Sequence, residues 1–198
     1  RQQAQVAHQA VAQLAVGSET PVTLGIVGRK GREYFGRRGF AIEFEQIGIF
    51  QKLSFANAQT IATLAMDAFT SGRVDKVLLV YNEFRSVISQ KVVMEQLLPM
   101  APIDTAADPA AEAQTEYIYE PSAQRIFDIL LKRLVEAQVL RALVESNAAF
   151  YAAQMTAMDA ATRNSSEMLA NLTLVMNKVR QAAIAREIIE VVSGAQAL

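Results

Sequence analysis

The residues best suited to chemistry follow a short apolar run: Gly25, Gly28 and Gly31, with Arg29 and Lys30 among them. Glycines at a strand end suit a phosphate, because bare backbone lets amide groups reach its oxygens while nearby cations balance its charge. The spacing here is G-x-x-G-x-x-G, whereas a dinucleotide loop reads G-x-G-x-x-G, and Lys30 is not followed by the Ser or Thr of a phosphate loop. A plain strand-to-helix turn accounts for the same glycines. His8 is the single histidine, and there is no cysteine. A zinc site or general base built on His8 is therefore not expected, and thiol chemistry is excluded.

Glu43 and Glu45 stand apart from other acids, while Glu187 and Glu190 are three apart on one helical face. That second pair could hold a cation or pair with Arg180 and Arg186, and ion pairing is the reading preferred. Met155 and Met158 fit core packing better than a soft-metal site. No catalytic set emerges, and no cofactor is expected. The cluster Arg29, Lys30, Arg32, Arg37 and Arg38 reads first as a solvated face, and second as a docking patch for an acidic partner or for polar loops near a membrane.

Elements must position these groups, and bulk properties bound them. The 198 residues carry a net charge of -1, which argues against a sequence-independent nucleic-acid binder. Hydrophobic residues make up 52%, too many for a disordered chain. No apolar run reaches the roughly 18 residues of a membrane span. The start is polar and glutamine-rich, unlike a signal peptide, and Arg1 in place of methionine leads us to expect a truncated or partly observed form.

Residues 3–14 carry an alanine-rich helical pattern, and residues 22–27 read as a buried strand between Pro21 and Gly28. A short helix is expected over 31–38. A better one spans 54–71, with Ser54 as N-cap and Gly72 just past its end. Residues 75–81 form the strongest strand pattern, and 86–96 a more exposed one. Residues 100–115 read as a surface loop, and 116–120 as a short edge strand. The order predicts a small Rossmann-like α/β domain over residues 1–120.

From Pro121 onward the chain reads as one helix, free of proline and of glycine until Gly194. A 4-3 repeat runs through Val144, Ala148, Tyr151, Met155, Met158, Thr162, Ser165, Leu169, Leu172, Met176, Val179 and Ala183. Such spacing makes a seam about every 3.5 residues, the pattern of a coiled coil. At about 1.5 Å per residue, residues 121–198 would rise roughly 110 Å, too long for a domain of the remaining residues to bury. Thr162 and Ser165 interrupt the seam beside Arg163, Asn164 and Ser166. Near the end, Asn177, Lys178, Arg180, Gln181 and Glu187 form a mixed polar collar. The collar is either a solvated face or a set of contacts to surrounding subunits.

With these residues assembled, the chain resembles the γ subunits of F-type ATP synthases. The resemblance rests on Gly28-Arg29-Lys30-Gly31, Leu79-Val80-Tyr81-Asn82 with Phe84, Ser86 and Gln90, and Tyr117-Ile118-Tyr119-Glu120-Pro121-Ser122. It continues through Arg141-Ala142-Leu143-Val144-Glu145-Ser146, Met155-Thr156-Ala157-Met158-Asp159-Ala160-Ala161-Thr162-Arg163-Asn164 and Asn177-Lys178-Val179-Arg180-Gln181-Ala182, closing on Ile189-Glu190-Val191-Val192-Ser193-Gly194-Ala195.

The resemblance implies a rotor whose long helix belongs to an antiparallel coiled coil inside a ring of α and β subunits. It implies further partners in the ε subunit and the membrane c-ring, with nucleotide and magnesium held by the ring. Contacts to the ring fall on Asn177, Lys178, Arg180, Gln181 and Glu187, and contacts to ε or the c-ring on Arg29, Lys30 and Arg32. The family's amino-terminal helix, first strand and following glycine-rich motif have no counterpart here. Ala185, Gln154 and Met176 stand where threonine, arginine and an aromatic are usual. The implied setting is the cytoplasmic face of a bacterial inner membrane, or the matrix side of the mitochondrial one; the lack of cysteine argues against a redox-regulated chloroplast type. Two rivals stay open: a coiled-coil scaffold, and a nucleotide-dependent α/β enzyme with a helical oligomerisation arm.

Overall fold

The computed structural model describes residue 11, residues 21–100, 119–120 and 122–196. Strand β1 (Thr23–Val27), helix α1 (Arg29–Gly36) and strand β2 (Ala41–Gln46) make a parallel β-α-β unit. A 3-10 turn, Ile49–Gln51, leads to α2 (Phe55–Thr70). Strands β3 (Val77–Ser86) and β4 (Ser89–Leu98) form an antiparallel hairpin, and α3 (Ala123–Gln196) is a single helix of 74 residues.

The expected architecture, a small α/β domain followed by a very long helix, is the one observed. Among the described residues the strands lie in two separate pairs, β1 with β2 and β3 with β4. Strand β2 was not foreseen, although Ile42, Phe44 and Gln46 are its more covered residues and alternate with exposed ones. Helix α1 starts two residues before the expected 31, because Gly28 at φ 103° supplies the turn into it. Of the elements expected at the start, only Val11 is described, and it is helical and buried. The expected loop 100–115 and edge strand 116–120 lie mostly outside the described residues; Tyr119 and Glu120 are in no strand.

Local signals act as the sequence suggests. At the start of α2 the Ser54 N–H donates to Asn57 Oδ1 at 3.0 Å, and beyond its end Gly72 takes φ 69° while its N–H reaches the Phe69 carbonyl at 3.1 Å. At the start of α3 the Arg125 N–H donates to Ser122 Oγ at 3.3 Å.

The chain divides into two compact units, residues 1–151 and 152–198. The core of the first unit gathers Ala58, Ile61, Ala62 and Ala65 of α2, Leu97 and Leu98 of β4, Ile49, and Val135, Val139 and Leu143 of α3. One charge lies in this layer. Glu136 is 2% exposed, accepts from Gln59 Nε2 at 3.4 Å and pairs with Arg133 at 3.2 Å. A buried carboxylate needs such partners, since an unpaired one costs several kcal/mol. In the second unit every residue from Gln154 to Ala195 is exposed except Asn177, which is half-buried.

Candidate functional site

The candidate site is the bare surface of α3. Met155, Met158, Leu169, Leu172, Met176 and Val179, all seam residues, are each exposed. Continuing the 4-3 spacing backward from Val144 gives Arg141, Ala137, Leu134, Leu130 and Phe127, and Leu134, Leu130 and Phe127 are exposed as well. Sequence reading began the seam at Val144 and missed this extension. The signal was there, but Arg141 interrupts it. An exposed apolar stripe of this length is a surface that water disfavours and a second helix would cover.

The polar interruption of the seam is settled within the helix itself. Thr162 Oγ1 donates to the Met158 carbonyl at 2.9 Å, Ser166 Oγ to the Thr162 carbonyl at 3.0 Å, and Arg163 pairs with Asp159. Thr162 thus lowers the apolar content of the seam while its hydroxyl bonds within its own helix.

Helical geometry sets where the collar residues point. At about 100° per residue Asn177, Lys178 and Gln181 point away from Met176, Val179 and Ala183, Arg180 and Glu187 flank those seam residues, and the exposed Ile184 and Ile188 fall among the collar residues. The tip therefore offers hydrogen-bonding groups and charge interleaved with exposed apolar side chains. The expected pairing of Glu187 and Glu190 with Arg180 and Arg186 does not form: none of the ion pairs among the described residues includes these four. Their charges stay available to other molecules.

The basic residues Arg29, Lys30 and Arg32 share the first turn of α1, away from the collar in sequence and in unit. Arg32 pairs with Glu45 at 2.7 Å, Arg29 lies 3.9 Å from Glu33, and Arg38 stacks 3.6 Å over the Tyr34 ring. Much of this charge is already engaged on the domain's own surface.

The glycines have structural employment. Gly28 N–H donates to the Gln46 carbonyl at 2.8 Å, so this amide ties α1 to β2 instead of pointing at a ligand. A Cβ on Gly25 would overlap the Phe44 ring, and one on Gly31 would lie 3.0 Å from Ile26 Cγ2. Close packing explains Gly25 and Gly31, and the positive φ of 103° explains Gly28.

One polar cluster was invisible in the sequence. Tyr81 of β3, buried, donates to Glu95 of β4, its diagonal neighbour across the hairpin. Arg141 Nε pairs with Glu145 Oε1 at 2.7 Å, and the Asn82 N–H donates to Ser146 Oγ at 3.3 Å. Burial, the bond to Glu95 and the charges of Glu95 and Glu145 push the Tyr81 phenol up from 10.0 to about 12, while Arg141 pulls the other way. The bond to Glu145, followed by the influence of Tyr81, raises the Arg141 guanidinium above its usual value.

The Tyr81 shift fixes a sign. Below pH 10 or so both folded and unfolded chains keep the phenolic proton, and its full contribution is present; as pH climbs toward about 12 the unfolded chain loses the proton first and stability falls. The expected loss is on the order of 2 kcal/mol, measured as denaturant midpoints between pH about 9 and about 11.5. Tyr81→Phe should flatten that slope. An equal slope in the variant would assign the loss to other groups.

Comparison with known proteins follows from this geometry. Residues 3–198 match the family model described as ATP synthase, and the chain belongs to that family. Within it, the chain is similar to gamma chains. It is 46% identical over 184 residues to the ATP synthase gamma chain of Solibacter usitatus, covering 93% of this chain and 62% of that one. It is 45% identical over 177 residues to that of Chlorobaculum parvum, covering 89% and 60%. The chain thus spans about three fifths of the length of these curated relatives. Among solved structures, a central stalk and c-ring structure of the Tetrahymena thermophila mitochondrial ATP synthase aligns with TM-score 0.60 at 23% identity, over 81% of this chain and 69% of that one. A Euglena gracilis mitochondrial ATP synthase chain aligns with TM-score 0.60 at 17% identity, over 96% and 66%. At these identities the structures speak for the fold.

Proposed function

We propose that the chain is the central-stalk rotor subunit of a proton-translocating ATP synthase. In this reading residues 121–198 act as the shaft and residues 1–120 as the head, and the chain performs no chemistry itself. Nucleotide and magnesium belong to the α and β subunits around it, while the ε subunit and c-ring meet the head. The observation that carries the reading is the second unit of α3: an unpartnered apolar seam, a set of polar collar residues near its end, and nearly every residue exposed. The names of the relatives support the same role.

A shaft must be stiff, and its sides must differ. A second helix on the seam supplies stiffness. Apolar contact alone attracts without direction and would hold the shaft equally in any orientation. The collar Asn177, Lys178, Arg180, Gln181 and Glu187 supplies direction, because hydrogen bonds form only where a ring subunit presents a partner. The head residues Arg29, Lys30 and Arg32 are assigned to ε or the c-ring by their charge. No helix among the described residues is long and apolar enough to cross a membrane. A bacterial inner membrane, cytoplasmic side, is the proposed setting.

Arg180→Ala or Gln181→Ala, placed in the full rotor, should lower ATP turnover while leaving assembly intact. Losing a hydrogen bond to a charged partner costs about 1.5–3 kcal/mol, so turnover is expected to fall roughly tenfold or more for Arg180. Unchanged turnover in an assembled complex removes the collar from the mechanism. The role itself is tested by isolating the complex and counting copies: one copy of this chain with α, β, ε and c subunits supports it, and a homodimer lacking them contradicts it.

A further inference from the structure

Glu136 is the one charged side chain buried among the described residues, and α2 reaches it from across the core. Gln59 Nε2 donates to Glu136 Oε1 at 3.4 Å, a bond between residues 77 apart in sequence. Arg133 pairs with Glu136 Oε2 at 3.2 Å and holds its guanidinium carbon 5.6 Å from the centre of the Phe55 ring. Phe55 and Gln59 are four apart on α2, and Arg133 and Glu136 are three apart on α3, so each pair shares one face of its helix. One turn of α2 therefore meets one turn of α3 through two directional contacts.

The apolar part of this layer specifies such a match only weakly. The buried side of α2 is Ala58, Ala62, Ala65 and Ala68 around one large residue, Ile61. Helices find their register by seating ridges of side chains in grooves, and a face of methyl groups has shallow ridges. Apolar burial attracts without fixing where along a helix it occurs. The buried carboxylate is more demanding. Sliding α3 by one turn, about 5.4 Å, would take Glu136 away from Gln59 and leave Oε1 without its donor.

We propose that Glu136 is a positioning residue that sets the register of α3 against α2. Taking a carboxylate out of water offsets much of what its partners return, so an apolar replacement of a buried ion pair is often neutral or stabilising. What the apolar residue cannot supply is a fixed partner, and a single buried polar residue sets register in coiled coils for the same reason. In the rotor reading above, α2 belongs to the head and α3 is the shaft, so this register decides where along the shaft the head is carried.

The test reads a distance within the chain. There is no native cysteine, so spin labels can be placed on Thr63→Cys of α2 and Lys132→Cys of α3, both exposed positions. The parent should give one narrow distance. Glu136→Met should keep a cooperative denaturant transition with its midpoint no lower than the parent's, while the distance distribution becomes at least about twofold wider or gains a second peak displaced by about 5 Å. Glu136→Gln keeps an oxygen that Gln59 can donate to, and should return the single narrow distance.

A parental distance in Glu136→Met overturns the proposal whatever its midpoint, because packing alone would then set the register. A wide distribution in Glu136→Gln overturns it as well. Should Glu136→Met fail to fold, Gln59→Leu decides, since it removes the partner on α2 and leaves the ion pair with Arg133. A widened distance there supports the proposal, and a parental one overturns it. These distances are measured in the chain by itself, so the register and the rotor reading fail separately.

Discussion

Replacing Leu169 and Leu172 together with glutamate is expected to abolish ATP synthesis while leaving the chain's own fold unchanged. The two side chains are 69% and 60% exposed, so within this chain they give up almost no packing. Both are seam positions, however. In a closed coiled coil each would be buried against a second helix, worth about 1.5–3 kcal/mol per leucine. The substitution removes that gain and also asks two carboxylates to enter an apolar interface, which costs several kcal/mol more unless they are paired. The shaft would then separate from its second strand and lose stiffness. The expected reading is synthesis below a tenth of the parent, with the unfolding midpoint of the isolated chain within about 0.5 kcal/mol of the parent value. Normal synthesis would mean that the seam is not covered in the working complex.

Val139→Asp should have the opposite distribution of effects. Val139 is 2% exposed and belongs to the layer formed with Ile61, Ala62 and Leu97. Its neighbours can offer an added carboxylate no hydrogen bond, unlike Glu136, which has Gln59 and Arg133. An unpaired buried charge costs about 3–5 kcal/mol, and lost apolar burial adds to it. That total rivals the whole stability of a small domain, so the cooperative urea transition should disappear. Val139→Ala, which removes only methyl groups, should keep the transition at a lower midpoint. A cooperative, near-parental melt for Val139→Asp would show that α3 is not part of this core.

The contrast between Leu172 and Val139 marks what the sequence made legible. Both are apolar residues of one helix at helical spacing, and periodicity alone cannot say which is covered by its own chain. The long helix, α2 with Ser54 and Gly72 at its ends, and strand β1 were readable as local patterns with stop signals. Strands β3 and β4 were seen as strands, but β3 runs on to Ser86 and β4 begins at Ser89, because no glycine or proline marks the turn between them. Strand β2 escaped notice because Glu43 and Glu45 break up its apolar residues, even though the alternation with Ile42 and Phe44 was present. The Tyr81, Glu95, Arg141 and Glu145 cluster escaped for a different reason: its members come from three elements and meet only through tertiary packing. The collar was readable as a set of residue types. Its place around the helix, with Arg180 and Glu187 flanking the seam, follows from helical geometry and needed only the helix to be continuous.

The most direct test of the rotor is to watch it turn. Ile88 at the hairpin tip is 86% exposed and offers a place for a visible probe after substitution by cysteine in this cysteine-free chain. With the catalytic ring fixed to a surface and ATP added, the account predicts that the probe rotates continuously in one direction and stops when ATP is removed. A probe that stays at a fixed angle while the same complex hydrolyses ATP would contradict it.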